Sequence, residues 1–257
     1  FNGVGYIDHG WAVPILQHLI NALLNYHSDR KFIFIGHGLG VTVIRDALRR
    51  NFIDYLNYKI GAVNPFPHIS KMILLSGMNH GSHIGNFNWC TDGKKTMRAS
   101  LACELGKLDN SPHNDSEFLP TDFLIPINGP FEKKELDPFA TPCADGRTLF
   151  DGYKHYKRND FCENNQIEYT TMVVEDAKSK LWSDEFTTEK SAALLTIDNN
   201  GNKIANNIVI DYAESSFDTS GYLGNDDTEG VYCVHYGTLR SDNGHEKIFD
   251  ALAEDKE

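Results

Sequence analysis

The stretch "FIFIGHGLGVTVI", Phe32 to Ile44, decides how the chain is read. Four residues that favour strands, Phe32 to Ile35, run into Gly36. Glycines then alternate with other residues as far as Gly40, and an apolar helical pattern starts at Val41. A strand, a tight turn and a helix in immediate succession serve two different chemistries. One is a phosphate cradle for a dinucleotide, written G-x-G-x-x-G. The other is a nucleophile elbow, written G-x-S-x-G, which lifts a serine out of strained backbone. Gly36 and Gly40 fill the outer positions of the elbow, and Gly38 stands where its serine belongs.

The flanking sequence places this unit in an α/β protein. Ala12 to Tyr26 reads as a helix, with Ala12, Ile15, Leu16, Leu19, Ile20 and Leu23 at helical spacing and Pro14 in its first turn. Lys31 to Ile35 reads as a short buried strand, and Val41 to Arg50 as a helix with Val41, Ile44 and Leu48 on one side. "KMILLS" (Lys71 to Ser76), "IEYTTMVV" (Ile167 to Val174) and "NIVIDY" (Asn207 to Tyr212) read as three further strands. Gly244 to Glu254 closes the chain as a helix with Ile248, Phe249 and Leu252 inward. Strands separated by helices or long crossovers predict a mostly parallel sheet. A doubly wound sheet normally has more than four strands, so an N-terminally truncated piece of a larger fold is expected.

Between the second and third strands lies an insertion, Ser82 to Gln166. It holds six of the nine prolines and four of the five cysteines. A segment of that length inside one domain reads as a cap or lid over a site. Cys90, Cys103, Cys143 and Cys162 permit three pairings, of which the sequence-nearest, Cys90–Cys103 and Cys143–Cys162, is the expected one. Two such bridges imply an extracellular protein. Cys233 reads as a buried thiol, and Asn114-Asp115-Ser116 has the form of a glycosylation acceptor.

The composition excludes several classes. The 257 residues are 40% hydrophobic and 23% charged, which suits one large α/β domain. A formal net charge of −12 argues against a nucleic-acid partner, because phosphate binding needs clustered Lys and Arg. No apolar run approaches the ~20 residues that cross a bilayer. No Cys or His spacing suggests zinc, and neither metal nor cofactor is expected. A monomer acting on a small molecule fits this profile.

The dinucleotide fingerprint fails at its third glycine, which is Val41, and no acidic residue ends a second strand about 20 residues on. The elbow instead requires an acid and then a histidine downstream. On these segments the chain resembles the α/β-hydrolases of the class 2 lipase and extracellular polyhydroxybutyrate-depolymerase type. "FIGHGLGVTVIRDAL" resembles that family's elbow strand and helix, and "MILLSGMNHGS" (Met72 to Ser82) its next strand and turn. "LWSDEFTTEKSAAL" (Leu181 to Leu194) resembles the acid loop, and "VHYGTLRSDNGHEKIFDAL" (Val234 to Leu252) the terminal histidine segment. The resemblance spans about Val4 to Leu252, with the insertion matching only loosely.

The resemblance implies an α/β-hydrolase fold and a Ser-Asp-His triad. Its nucleophile position is Gly38, its acid Asp184 and its base His235, with the backbone N–H of Leu39 as one oxyanion donor. The substrate it implies is an ester, a lipid or a polyester. A serine hydroxyl needs an imidazole to take its proton, and the imidazole needs a carboxylate to hold its tautomer. Glycine has no side chain and cannot attack, so the chain as written is expected to be inactive.

Each of these residues has a plainer alternative. His235 is one of eleven histidines, and Asp184 competes with Glu175, Asp176 and Glu185. His37 reads as structural, and His80 and His83 as residues shaping a pocket mouth. Ser76 and Ser82 do not sit at the elbow. Gly38 itself admits three accounts: a natural pseudoenzyme that binds an ester or lipid without cutting it, a deliberate replacement of serine, or a truncated or erroneous form of an active enzyme.

Overall fold

A computed structural model describes residues 12–81, 167–175, 187, 189–194, 205–211, 238–239 and 241–253. The insertion 82–166, all five cysteines, Asp184, His235 and His83 lie outside the described residues.

Four strands, β1 (Phe32–His37), β2 (Ile69–Leu75), β3 (Glu168–Glu175) and β4 (Ala205–Asp211), form one sheet in the order β1-β2-β3-β4. Every neighbouring pair is parallel. The mostly parallel α/β architecture expected from the sequence is therefore present. Because the strands are parallel, His37, Leu75, Glu175 and Asp211 all end at the same edge of the sheet.

Helix α1 (Ala12–Tyr26) and helix α2 (Leu39–Leu56) cover one face. Val13, Ile20 and Leu24 of α1 and Val41, Ala47, Leu48 and Phe52 of α2 pack with Ile69, Met72, Leu74 and Tyr169 of the sheet. Gln17 Nε2 donates to Asp54 Oδ2 at 2.8 Å and joins the two helices. A short helix, α3 (Glu189–Ala192), follows β3. The last helix, α4 (Asp242–Ala253), lies on the opposite face, where Ala251, Ile248 and Leu252 meet Ile73, Leu75, Met172 and Ile208.

Three packing expectations are corrected. β1 is half-buried, because Ile33 and Ile35 are 43% and 47% exposed. They project on the α4 side, and the apolar cluster beneath α4 contains no β1 residue. In α1 the stripe Ile15, Leu19 and Leu23 faces outward, and the core side is Val13, Ile20 and Leu24. That helix is apolar nearly all round, so spacing alone could not choose its inner face. Phe249 is exposed, one residue off the stripe of Ile248, Ala251 and Leu252 that meets the sheet.

Both ends of α4 are fixed by side chains. Ser241 Oγ accepts from Gly244 N–H at 2.9 Å, satisfying a donor of the first turn. Lys71, buried in β2, donates from Nζ to the carbonyls of Ala251 and Leu252 at 3.2 and 3.1 Å. These are last-turn carbonyls with no partner inside the helix, and a cation there also opposes the helix dipole.

Candidate functional site at the carboxyl ends of the strands

β1 passes into α2 through a tight turn at Gly38. Gly38 is buried and has φ 54° and ψ −126°, a combination that costs an L-residue free energy and glycine little. Its amide donates to Leu75 O at 2.9 Å, so the turn is tied to the end of β2. α2 starts at the next residue, where Val41 N–H donates to Gly38 O at 3.2 Å and Thr42 Oγ1 to Leu39 O at 2.9 Å. Leu39, the expected oxyanion donor, is the first residue of α2, where backbone N–H groups have no partner inside the helix.

Of the two flanking glycines, one is dictated by packing. A Cβ on Gly36 would lie 2.9 Å from Ile44 Cδ1, the movable end of a side chain, and 3.1 Å from Val41 Cα, tighter than most real Cβ contacts and made to backbone. A Cβ on Gly40 would meet nothing within 4 Å among the described residues, so close helix–strand approach does not explain that glycine. A third requirement went unnoticed in the sequence: a Cβ on Gly77 would meet Val41 Cγ1 at 2.9 Å.

Beside the turn, the segment after β2 is wholly buried from Ser76 to Gly81. Ser76 adopts φ 47° although it is not glycine. Its amide donates to Met172 O at 2.6 Å, which holds it over β3. Its hydroxyl lies 3.5 Å from the hydroxyl of Thr238. Thr187 Oγ1 donates to Gly77 O at 3.4 Å. Two fully buried threonines thus touch two consecutive residues next to the elbow.

Farther along, Asn79 accepts from Arg45 Nη1 at 2.9 Å and donates to Ala192 O at 2.7 Å. His80 N–H reaches Ser191 O at 3.2 Å, and Ser191 Oγ donates to Gly81 O at 2.6 Å. His80 is therefore buried under α3 and does not line an open mouth. The segment beyond α3 is pinned by Asn207, whose amide pairs with both the N–H and the C=O of Leu194 at 3.0 and 3.1 Å.

Electrostatically, the resolved feature beneath the site is Tyr169. Burial raises its hydroxyl pKa well above the usual value, and the nearby Arg45 charge lowers it in part. Among the described residues no group of three or more His, Cys, Asp or Glu is placed to hold a metal ion. No helix among them is long and apolar enough to cross a membrane.

Of the expected site residues, Gly38 and Leu39 are thus found on the elbow turn, while Asp184 and His235 lie outside the described residues. Glu175, a competing acid, ends β3 in register with Asp211. Sequence reading passed over Arg45, Asn79, Thr187 and Thr238, and weighed Ser76 only as a substitute nucleophile. One signal was available: Arg45 interrupts the helical series Val41, Leu48 and Phe52, a charge on a core stripe. In comparisons with known proteins, no family model matches the chain, and no curated protein matches it either.

Proposed function

We propose that the chain is a carboxylic-ester hydrolase scaffold of the lipase, esterase or polyester-depolymerase kind, on an α/β-hydrolase fold. Its nucleophile position is Gly38, its acid Asp184 and its base His235. The observation that carries this reading is the pair of threonine anchors beside the elbow. Thr187 follows Asp184 by three residues, and Thr238 follows His235 by three. Three residues of chain span at most about 11 Å. The anchors sit on Gly77 and Ser76, and Ser76 directly follows Leu75, whose carbonyl holds the Gly38 amide. Covalent reach from these two anchors supports an acid and a base close to the elbow, both supplied by the last third of the sequence.

The chemistry follows from the residue types. With serine at position 38, His235 takes the hydroxyl proton as oxygen attacks the ester carbonyl. Asp184 holds the imidazole tautomer, and the Leu39 amide receives the developing oxyanion. With glycine there, the first step has no nucleophile. The absent hydroxyl favours a second reading for the chain as written, in which the site binds an ester or lipid and does not cleave it.

One substitution tests the proposal. Gly38→Ser in the full-length gene product is expected to hydrolyse a short p-nitrophenyl ester and to react with a fluorophosphonate probe, while the glycine form does neither. His235→Ala in the serine background should abolish most of the activity, because nucleophile and base act as one unit. A folded Gly38→Ser protein that neither labels nor hydrolyses would exclude the triad and leave the binding reading. Activity that survives His235→Ala would exclude His235 as the base.

A further inference from the structure

We propose that Asn79 is a positioning residue of this site: it holds residues 187–194, the segment that follows the acid, onto the elbow helix α2. The proposal rests on the ester-hydrolase reading for its catalytic consequence, but the clasp itself is geometric. Arg45 Nη1 can only donate and the Ala192 carbonyl can only accept. A residue between them must accept on one side and donate on the other. Asn79 does both, at 2.9 and 2.7 Å, and its amide has only one orientation that satisfies the pair. Arg45, Asn79 and Ala192 are all 1% exposed or less, so water cannot substitute for either bond.

The placement gives the clasp its function. Arg45 lies in α2, seven residues after Gly38. Ala192 ends α3, eight residues after Asp184. The relay therefore runs from the helix that carries the elbow to the segment that carries the acid. Other bonds between 187–194 and the loop, from Thr187 to Gly77 and from Ser191 to Gly81, join it to the loop alone. Asn79 also reaches α2. The elbow and the acid, which must reach the same imidazole from two sides, are thus braced against each other by one side chain, in a site where misplacement of about 1 Å costs about 10²-fold in rate.

The test is Asn79→Asp. Aspartate keeps the length and the acceptor, and it pairs with Arg45 as a carboxylate, so the buried guanidinium stays matched and the protein should fold. It removes the N–H that reaches Ala192 and sets a negative oxygen against that carbonyl. Hydrogen exchange is the first readout. The amides of Ala193 and Leu194 should exchange about ten-fold faster, the worth of one buried hydrogen bond, while those of β1 and β2 keep their rates. Unchanged exchange at Ala193 and Leu194 would overturn the proposal. Steady-state kinetics in the Gly38→Ser background is the second readout. There Asn79→Asp should lower kcat about 10²-fold and leave KM nearly unaltered, with a displaced pH profile as the acid loses its alignment. Faster exchange with unaltered kcat would also overturn it, leaving the clasp a stability element only. Absence of hydrolysis in Gly38→Ser itself would count against the ester-hydrolase reading, and the exchange readout would still decide whether Asn79 holds the segment.

Discussion

The amide of Gly38 donates to the carbonyl of Leu75 at 2.9 Å, so the elbow and the end of the neighbouring strand form one rigid corner. Thr238 and Thr187 are docked on Ser76 and Gly77, the next two residues of that strand's exit. A change on either side of the corner should be felt on the other.

Gly36→Ala should destabilise the fold by about 2 kcal/mol, within the usual cost of overpacking. The new methyl would press on Ile44 and on the Val41 backbone, and backbone cannot step aside. Gly40→Ala should be neutral or stabilise by up to ~1 kcal/mol, since it lies in the first turn of α2 and alanine is the better helix former. Urea unfolding of the two variants checks the contrast.

Ser76 occupies left-handed backbone without being glycine. Ser76→Gly should relieve about 1 kcal/mol of that strain and offset the loss of the 3.5 Å contact to Thr238. Its midpoint should fall close to that of the parent. Ser76→Val brings a β-branched side chain into the same backbone and a fully buried place, and should cost more than about 2 kcal/mol. Equal loss in both variants would mean that the hydroxyl, and not the backbone, decides this position.

Tyr169 predicts an alkaline dependence. Its pKa is raised in the folded state by burial, so the folded form holds the phenolic proton more tightly than the unfolded form does. The stability linked to this is fully present below the unfolded value, about 10, and is lost as pH rises toward the folded value. Its hydroxyl has no hydrogen-bond partner among the described residues. Tyr169→Phe should therefore be neutral or slightly stabilising near pH 7 and should flatten the decline above pH ~10. Unfolding curves of both proteins at neutral and alkaline pH measure the difference.

Asp46 is nearly fully buried in α2 and pairs with two arginines of its own helix, Arg49 at 2.7 Å and Arg50 at 2.9 Å. Asp46→Ala should destabilise by about 2 kcal/mol, less than the 3–5 of a fully buried pair because both arginines retain partial access to water. Asp46→Asn should recover part of the loss, as read by thermal unfolding.

Much of the frame was legible in the sequence. α1 is found at its expected bounds, and the four strands lie within two residues of theirs at each end. Short apolar runs bounded by Gly, Pro and Asn leave a strand few alternatives. The end of α2 was not legible. It continues to Leu56, beyond the expected Arg50, because Phe52 packs at 4.7 Å on Phe66, a contact between residues that no local pattern connects. The site divides in the same way. Gly36 and Gly38 were readable, because strained turns and close approach demand glycine. Asn79, Thr187 and Thr238 were not, because a buried hydrogen bond between residues about a hundred or more apart leaves no period in the sequence.

The pairing of β2 with β3 joins Lys71 to Glu168, while β1 and β2 are linked through α2 and the short 3-10 turn Phe66–His68. Loop closure makes the longer connection only about 0.8 kcal/mol costlier in entropy. Its kinetic weight is larger, because non-local strand pairing is slow. On the ribosome the unit from α1 to β2 emerges before β3 and β4 and can pack on its own apolar face. The Gly38 corner, made wholly from β1, α2 and Leu75, can therefore assemble before the chain that supplies Thr187 and Thr238 has been synthesised.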